Sequence, residues 1–390
     1  MVRFFKNFIL ISWEVFLLPF VFLAALLARF VPKSVEIGLG PEPLINNVYH
    51  AKALKSKGWQ AETFVDSLYF ITNEFDVKLV SANKLVSRAI RLSFLPYFFS
   101  IFRYRVIYIY FNGGGLYAAR LLWVLEPFLY RLAGVKVVVM PYGGDVQDMQ
   151  KSGELYFKHV VDKDYPRHFR RRMIIRCKVW MWSLYADHVI SGCDWVDYMQ
   201  HWDTLCISHF SIDLDSWASS SDEPKSGPVR ILHAPNHKNI KGTRFFELAV
   251  ERLKRMGYEV ELIMVQGVPN AELKKMISDC DIVADQLVIG WYAMFAIEAM
   301  ALGKPVLCYV RDDLEELYVR AGLLERGELP LIKCSPKDLD QVLEKLVVDR
   351  LELQAIGERG RAYVEKRHSL DAIGTMFNAI NESLEVRSNV

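Results

Sequence analysis

One carboxylate stands in an otherwise apolar stretch, at Glu298 within residues 295–301 (FAIEAMA). Burying a carboxylate in such surroundings costs free energy unless a partner compensates its charge. A pair of ligand hydroxyl groups and a neighbouring lysine or arginine are both suitable partners. Glu298 is therefore a candidate for ligand binding and equally for an internal ion pair.

A lysine precedes a Gly-Thr pair at Lys241-Gly242-Thr243, between a predicted strand at 230–234 and a predicted helix. An ammonium group beside a helix N-terminus is suited to bind phosphate, because the ammonium supplies charge and the helix end supplies N–H groups. The spacing of the loop and its lack of further glycines exclude a Walker loop. Residues 235–243 are therefore a predicted anion-binding loop.

Two glycine-rich loops in the first half of the chain, 112–115 (NGGG) and 142–145 (YGGD), follow predicted strands. Glycines let the backbone approach a ligand closely, and an aspartate there can accept a hydrogen bond from a sugar hydroxyl. A tight turn with a capping aspartate is the alternative. The predicted cleft residues of this half, with one from the loop 38–43, are Gly40, Gly114, Gly143, Gly144 and Asp145.

Alternating strands and helices must position these loops. Apolar runs predict strands at 35–39, 61–65, 77–80, 106–111, 135–141, 188–191, 230–234, 261–265 and 282–284, with helical stretches between them that include 46–57, 116–133 and 292–302. This alternation predicts doubly wound parallel sheets. In such sheets, ligands bind outside the carboxyl ends of the strands.

Residues 298–306 (EAMALGKPV) resemble the signature of the large retaining glycosyltransferase family of GT-B fold, which reads Glu-x7-Glu followed by Ala-Met-Ala-x-Gly-x-Pro-Val. The resemblance implies that Glu298 binds the ribose of the donor nucleotide. The first Glu of the signature, which contacts the transferred sugar in the family, falls on Gly290. Our candidates to replace it are Asp285, Gln286, Trp291 and Tyr292, and the Asp-Gln and Gly-Trp-Tyr pattern looks like a subgroup of the family.

The anion-binding loop resembles the family's Gly-Arg-x4-Lys-Gly segment, which holds the donor diphosphate. Lys241-Gly242 match it, whereas the Arg falls on Asn236, so that His237 or Lys238 would supply the missing charge. The predicted donor site comprises Asn236, His237, Lys238, Lys241, Gly242, Asp285, Gln286, Gly290, Trp291, Tyr292 and Glu298.

The 142–145 loop resembles the family's acceptor-domain Gly-x-Asp segment, and the predicted catalytic residues are Asp145, Lys241 and Glu298. Lys241 would meet the charge that develops on the departing diphosphate. Asp145 is the residue-based candidate for a general base. A donor phosphate oxygen that takes the acceptor proton is the alternative.

The N-terminal residues 7–28 carry one charged residue, Glu14, and are long enough to cross a bilayer at roughly 20 residues. They predict a membrane anchor, either a span or a re-entrant or in-plane helix, with a buried core helix as the alternative. Two basic, aromatic-rich segments, 84–105 and 167–185, would suit an anionic membrane surface. Their apolar stripes could instead face the core.

Composition narrows the function further. The 390 residues carry a net charge of +2, which gives no global basic bias for nucleic-acid binding. The six cysteines are scattered and indicate buried thiols in a reducing compartment. The Asp-x-Asp pattern occurs at three places, so its presence carries little information about metal binding. No histidine cluster has zinc spacing, and we therefore expect no metal site and no cofactor beyond the donor substrate.

The sequence therefore predicts an α/β chain of GT-B fold, with two Rossmann-like doubly wound domains facing a cleft and an N-terminal hydrophobic membrane helix. The expected division is an anchor at 1–33, an acceptor-binding domain at 34–215, a linker at 216–228, a nucleotide-sugar-binding domain at 229–370 and a C-terminal helix at 371–390 that crosses back.

The resemblance implies a membrane-associated, retaining, metal-independent hexosyltransferase of cell-envelope polysaccharide biosynthesis. We expect a UDP-linked sugar donor to be used at the cytoplasmic side, with a glycan or lipid-linked glycan as acceptor. The alternatives are a non-catalytic GT-B-like membrane subunit, which would not bind UDP, and a nucleotide-sugar epimerase of the same fold, which would turn over donor without an acceptor.

Overall fold

The structure is a computed structural model that describes residues 2–69, 71–218 and 227–386. These residues form two parallel sheets flanked by helices, which confirms the predicted fold class. Most of the predicted linker at 216–228 lies outside the described residues.

The first half of the chain forms a seven-stranded parallel sheet. Its strands are β1 (Val35–Leu39), β2 (Ala61–Val65), β3 (Val77–Lys78), β4 (Tyr104–Tyr110), β5 (Lys136–Met140), β6 (His188–Ser191) and β7 (Thr204–Leu205). The order is β3-β2-β1-β4-β5-β6-β7, so the winding reverses between β1 and β4. The central strands are almost continuously apolar because helices and loops cover them.

The second half forms a five-stranded parallel sheet. Its strands are β8 (Val229–His233), β9 (Val260–Met264), β10 (Ile282–Gln286), β11 (Val306–Cys308) and β12 (Ile332–Lys333). The order β12-β11-β10-β8-β9 places the reversal between β8 and β10. At such a reversal the connections leave in opposite directions, which opens a crevice outside the carboxyl ends of the two strands.

The helices of the first half are α1 (Val2–Ala28), α2 (Ile45–Ser56), α3 (Lys84–Leu92), α4 (Leu95–Arg103), α5 (Glu126–Leu132), α6 (Leu155–Asp164) and α7 (Arg172–Tyr185), with 3-10 helices at Leu122–Leu125, His168–Arg171 and Cys193–Asp197. The helix predicted over 116–133 is wrong in its first part. The Leu116 N–H donates to the Glu126 carboxylate, and the N–H groups of 120–122 donate to Glu14. Helical structure begins only at Leu122.

The helices of the second half are α8 (Lys238–Lys241), α9 (Thr243–Arg255), α10 (Asn270–Asp279), α11 (Met294–Ala301), α12 (Asp312–Arg320), α13 (Leu339–Val348), α14 (Arg350–Arg367) and α15 (Leu370–Ser383). The last helix, α15, packs on α2 of the first half. A Cβ atom at Gly374 would lie 2.5 Å from the Ala53 carbonyl oxygen, so the two helix backbones are in near contact. Tyr108 donates to Asn381 Oδ1 at 3.0 Å, which ties α15 to β4.

Helix α1 lies along the first half with one face buried and the other exposed. Its Glu14 carboxylate accepts the three N–H groups of residues 120–122 at 2.6, 2.6 and 3.1 Å. Val21, Ala25 and Ala28 are buried, whereas most of its large apolar side chains are exposed. A core helix is therefore excluded. Among the described residues, the stretch Asn7–Ala28 is long and apolar enough to cross a membrane.

The two basic segments differ in what they expose. In 167–185 the apolar stripe faces outward, with Phe169, Met173 and Trp180 about half exposed or more. The expectation that this stripe could face the core is therefore wrong. In 84–105 the residues Phe94 and Tyr97 are buried, along with Ile101, so much of this segment belongs to the core.

Candidate active site

A crevice of about 160 Å³ lies at the carboxyl ends of β8 and β9, between the two halves of the molecule. The second half contributes Asn236, the loop 265–268, Asn270 and Glu298, and the first half closes it with two isoleucines, Ile45 and Ile71. The loop after β8, which carries Asn236, starts here. Two of the predicted donor residues, Asn236 and Glu298, therefore share one crevice.

Glu298 lies on α11 and is 4% exposed. Its Oε1 atom accepts a hydrogen bond of 2.7 Å from the Asn270 side-chain amide. Burial raises the pKa of Glu298 to about 7, and the Asn270 hydrogen bond lowers it by a smaller amount. No lysine or arginine forms a salt bridge with this carboxylate within the described ranges, so the alternative of an internal ion pair is not the arrangement found.

Lys241 lies at the end of α8 and pairs with Asp285 at the end of β10. The two charged atoms are 2.5 Å apart, with the aspartate side chain fully buried and the lysine side chain 18% exposed. Gly242 follows in the left-handed region with φ 74°, which lets the chain turn from α8 into α9. The buried carboxylate thus holds the ammonium group beside the loop that also supplies Asn236.

His237 and Lys238 were predicted to supply the charge that Asn236 lacks. Burial lowers the pKa of His237, so its ring is neutral near pH 7. Its Nε2 atom lies 2.6 Å from the Tyr165 hydroxyl of the first half. Lys238 is exposed in the first turn of α8. His237 therefore does not supply the missing charge at neutral pH.

Gln286 lies behind the cleft, contrary to the expectation that it contacts the sugar. Its side chain is fully buried, and its oxygen accepts the N–H groups of Val288 and Ile289 at 2.7 and 2.6 Å. Its amide nitrogen donates to the Tyr309 carbonyl at 2.7 Å. Gln286 therefore shapes the loop after β10.

The prediction that Trp291 and Tyr292 contact the transferred sugar is also wrong, because both rings are buried in the core. The Tyr292 hydroxyl lies 2.7 Å from the Tyr363 hydroxyl and 2.9 Å from His368 Nε2. The Trp291 ring stacks on Tyr292 and contacts the Tyr318 ring at a tilt. These aromatic residues hold the start of α11 against α14 instead of facing the crevice.

Gly290 takes the position of the missing glutamate, and the structure leaves no room for a side chain there. Its φ of 96° is in the left-handed region, and a Cβ atom would lie 2.6 Å from the Arg311 side chain. Arg311 pairs with Asp197 of the first half at 2.5 Å and with Asp313 at 2.6 Å. An arginine stem that serves an ion pair between the halves therefore covers this position.

Asp145, the candidate base, is 1% exposed and ties two strand ends together. Its carboxylate accepts N–H groups from Phe111, Tyr142 and Gly143 at 2.9 to 3.0 Å. Burial raises its pKa to about 7, and these backbone hydrogen bonds oppose the shift. This is the capping geometry that the sequence left open as the alternative.

The predicted glycines fall into two groups. Gly40 and Gly114 are packed against the protein, since a Cβ atom would meet the Phe64 carbonyl oxygen at 2.0 Å or the Tyr130 hydroxyl at 2.6 Å. At Gly143 the nearest atom lies 3.7 Å away, and at Gly144 none lies within 4 Å. The space beside Gly143 and Gly144 is therefore the open part of this loop.

A polar cluster that the motifs did not reveal lies at the carboxyl ends of β1 and β4, where the connections after the two strands leave in opposite directions. Glu42 accepts a hydrogen bond of 2.8 Å from the Asn112 amide, which also donates to the Tyr142 hydroxyl at 2.8 Å. Lys178 from α7 donates to the Asn112 carbonyl. Burial raises the pKa of Glu42 and lowers that of Lys178. A glutamate two residues beyond a strand-end glycine was the only signal in the sequence.

The two halves also meet beside the anion-binding loop. The Asp164 carboxylate at the end of α6 accepts the Ile240 N–H and the Asn239 amide, each at 2.7 Å. Apolar residues of α6 pack on Ile240 and Val288. The loop that carries Lys241 is therefore held from the first half as well as from Asp285.

Among the described residues, no group of three or more His, Cys, Asp or Glu side chains is placed to hold a metal ion. No protein-family model matches the chain, and no curated protein sequence matches it. Solved structures do match in fold.

A sucrose-phosphate synthase from Thermosynechococcus elongatus is 13% identical with a TM-score of 0.57, covering 90% of this chain and 99% of that one. Anabaena HepE, solved with UDP and glucose, is 12% identical with a TM-score of 0.56, and the match covers 90% of this chain and 100% of that one. An alpha-glucosyltransferase solved with UDP-glucose and DNA is 12% identical with a TM-score of 0.56, and the match covers 90% of this chain and 99% of that one. The chain therefore has the GT-B fold over nearly its whole length.

Proposed function

We propose that this protein is a membrane-associated glycosyltransferase that transfers a sugar from a UDP-linked donor to a glycan or lipid-linked glycan. The observation that carries the proposal is the crevice at the carboxyl ends of β8 and β9, which is lined by the buried Glu298 and the exposed Asn236. Two of the solved structures of like fold contain UDP with glucose or UDP-glucose. The acceptor would be met at the cytoplasmic face of the membrane.

Each residue has a defined task in this proposal. Ionised Glu298 accepts hydrogen bonds from the ribose hydroxyls, while Asn270 orients the carboxylate. Lys241, held by Asp285, meets the charge on the departing diphosphate. Retention and metal independence rest on the resemblance at residues 298–306.

The acceptor side is assigned to the cluster at the β1/β4 reversal. Glu42 and Asn112 offer acceptor oxygens to sugar hydroxyls, since both hydrogens of the Asn112 amide already bind Glu42 and Tyr142. Because Asp145 is enclosed by three backbone N–H groups, we give it a positioning role. The donor phosphate oxygen then takes the acceptor proton.

The test is a titration with UDP as a function of pH. The pKa of Glu298 is raised to about 7, so its carboxylate is present above pH 7 and is lost as the pH falls. The affinity of the wild type for UDP should therefore decrease below pH 7. Glu298→Gln should bind UDP roughly tenfold more weakly at pH 8, because a charge-assisted hydrogen bond is lost.

Glu298→Gln should also lack the pH dependence that is due to the carboxyl, whereas the titration of UDP itself remains in both proteins. Glu251→Gln, at an exposed position on α9, is the matched control and should behave like the wild type. Equal UDP affinities of wild type and Glu298→Gln at every pH would contradict the site. A complete lack of UDP binding would favour the non-catalytic subunit, and conversion of the donor without acceptor would favour the epimerase.

A further inference from the structure

A second cavity, of about 310 Å³, lies where α1 meets α3 and the segment 117–120. Three arginines line it, Arg88 and Arg91 from α3 and Arg120 from the segment. Trp13 and Leu10 of α1 form its apolar wall. The cavity is thus lined by positive charge on one side and by the apolar helix α1 on the other.

The positive charge of this cavity is only partly balanced by the protein. Within the described residues, none of the three arginines forms a salt bridge. Glu14 also lines the cavity and supplies one negative charge against the three positive ones, while its two oxygens accept the three N–H groups of residues 120–122. Three guanidinium groups around one space therefore have donors left for an anionic ligand.

The cavity connects two parts of the molecule. On one side, α1 exposes apolar side chains such as Phe16, which is 59% exposed. On the other side, the Tyr117 hydroxyl donates to Asp66 at 3.0 Å, at the carboxyl end of β2. Asp66 interacts electrostatically with Glu42 of the polar cluster and with Arg91. The cavity therefore lies between an apolar surface and the acceptor side of the cleft.

We propose that this arginine cavity binds the phosphate or diphosphate group that joins an acceptor glycan to its lipid. The guanidinium group of arginine binds phosphate oxygens well, because it can donate two parallel hydrogen bonds to them. The lipid chain would leave over the exposed face of α1, and the glycan would extend past Tyr117 towards Glu42. The inference rests on the proposed function and specifies its acceptor as lipid-linked.

The test uses the full chain and phosphatidylcholine vesicles that contain a polyprenyl diphosphate as the probe. Vesicles of equal surface charge made with phosphatidylglycerol distinguish the specific ligand from bulk anionic lipid. The double variant Arg88→Gln/Arg91→Gln should bind the diphosphate vesicles at least roughly tenfold more weakly than the wild type, because charged hydrogen bonds to phosphate are lost. Its affinity for phosphatidylglycerol vesicles should fall much less.

Arg167→Gln/Arg170→Gln is the matched control, because it removes the same charge from exposed positions outside the cavity. It should lower binding to both kinds of vesicle by the same small factor, since only nonspecific attraction is reduced. If the affinity of both double variants falls by the same factor for both kinds of vesicle, the arginines act as a general basic surface and the inference is overturned.

UDP titration of the same proteins separates this inference from the proposed function. Unchanged UDP binding in Arg88→Gln/Arg91→Gln shows that the donor half is intact, so that a lost lipid affinity is local. Wild-type protein that binds UDP but shows no preference for the polyprenyl diphosphate would overturn the lipid site and leave the glycosyltransferase proposal standing. Wild-type protein that fails to bind UDP would overturn the proposed function and, with it, this inference.

Discussion

The Asp145 carboxylate joins the ends of β4 and β5, because it accepts N–H groups from Phe111, Tyr142 and Gly143. Asparagine has the same shape but replaces one acceptor oxygen by a donor group. Asp145→Asn should therefore lower the free energy of unfolding by about 1–3 kcal/mol, the cost of an unpaired buried donor. Urea unfolding measures it, with Asp162→Asn at an exposed position of α6 as control.

The same variant separates a positioning role from a catalytic one. If Asp145 only positions the strand ends, the conservative variant retains turnover whenever the protein is folded. A variant with wild-type stability and no turnover would contradict the positioning role.

Residue-level prediction succeeded where one residue conflicts with its neighbours in sequence. Glu298 stands out because a carboxylate interrupts an apolar helix, and it does line a crevice. Glu42 could not be found in this way, because its partner Asn112 is 70 positions away. Tyr292 was misjudged for the same reason, since its partners Tyr363 and His368 come from the end of the chain.

At the scale of the element, α1 is held against the first half along most of its length. Trp13 donates to the Leu92 carbonyl at 2.9 Å, Glu14 binds the segment 120–122, and Lys33 beyond its end donates to the Ile101 carbonyl. A helix that is docked from its middle to its C-terminal end on a polar globular body cannot stand perpendicular to a bilayer without burying part of that body. We therefore expect α1 to lie in the plane of the membrane surface.

Spin labels at two exposed positions of α1 measure this orientation. Phe8 and Leu27 are 61% and 52% exposed, and they are about 28 Å apart along the helix at roughly 1.5 Å per residue. Labels at Phe8→Cys and Leu27→Cys should report the same depth in the bilayer. Because Cys177 is the exposed native thiol, the experiment uses a Cys177→Ser background. Depths on opposite leaflets would show that the helix spans the membrane.

Most strands were predictable at the element scale because short apolar runs mark them in the sequence, whereas the two-residue strands β7 and β12 were not predicted. The segment 116–133 was not, because the carboxylates of Glu14 and Glu126 take N–H groups that a longer helix would have used. One of these carboxylates lies more than a hundred positions upstream. Local periodicity carries no information about such a contact.

At the scale of the whole molecule, Arg311 is the main ionic contact between the halves described here, since its side chain is 8% exposed and binds Asp197 at 2.5 Å. Removing the arginine leaves a largely buried carboxylate without its partner. Arg311→Gln should therefore lower the free energy of unfolding by about 3 kcal/mol. It should also increase the radius of gyration, because the halves lose a contact on one side of the cleft.

Urea unfolding and small-angle X-ray scattering check these two effects. Arg320→Gln is the control, because Arg320 is 78% exposed and pairs with Glu316 on its own helix. A wild-type radius of gyration in Arg311→Gln would mean that apolar packing around Ile240 suffices to hold the halves together.

The two-sheet architecture was predictable because the alternation of strand and helix leaves few other topologies. The approach of the halves was not, because Arg311 and Asp197 become neighbours only when both sheets are complete. The signature resemblance placed a glutamate at Gly290, whereas the folded chain uses that space for the arginine stem. Only the coordinates of both halves reveal this exchange.

The chain passes between the halves twice, and the two passages run side by side. The Ile212 N–H donates to the His368 carbonyl at 2.9 Å, and His368 Nδ1 lies 2.9 Å from the Phe210 carbonyl oxygen. We therefore expect any opening of the cleft to pivot near Ile212, where these two segments are hydrogen-bonded to each other.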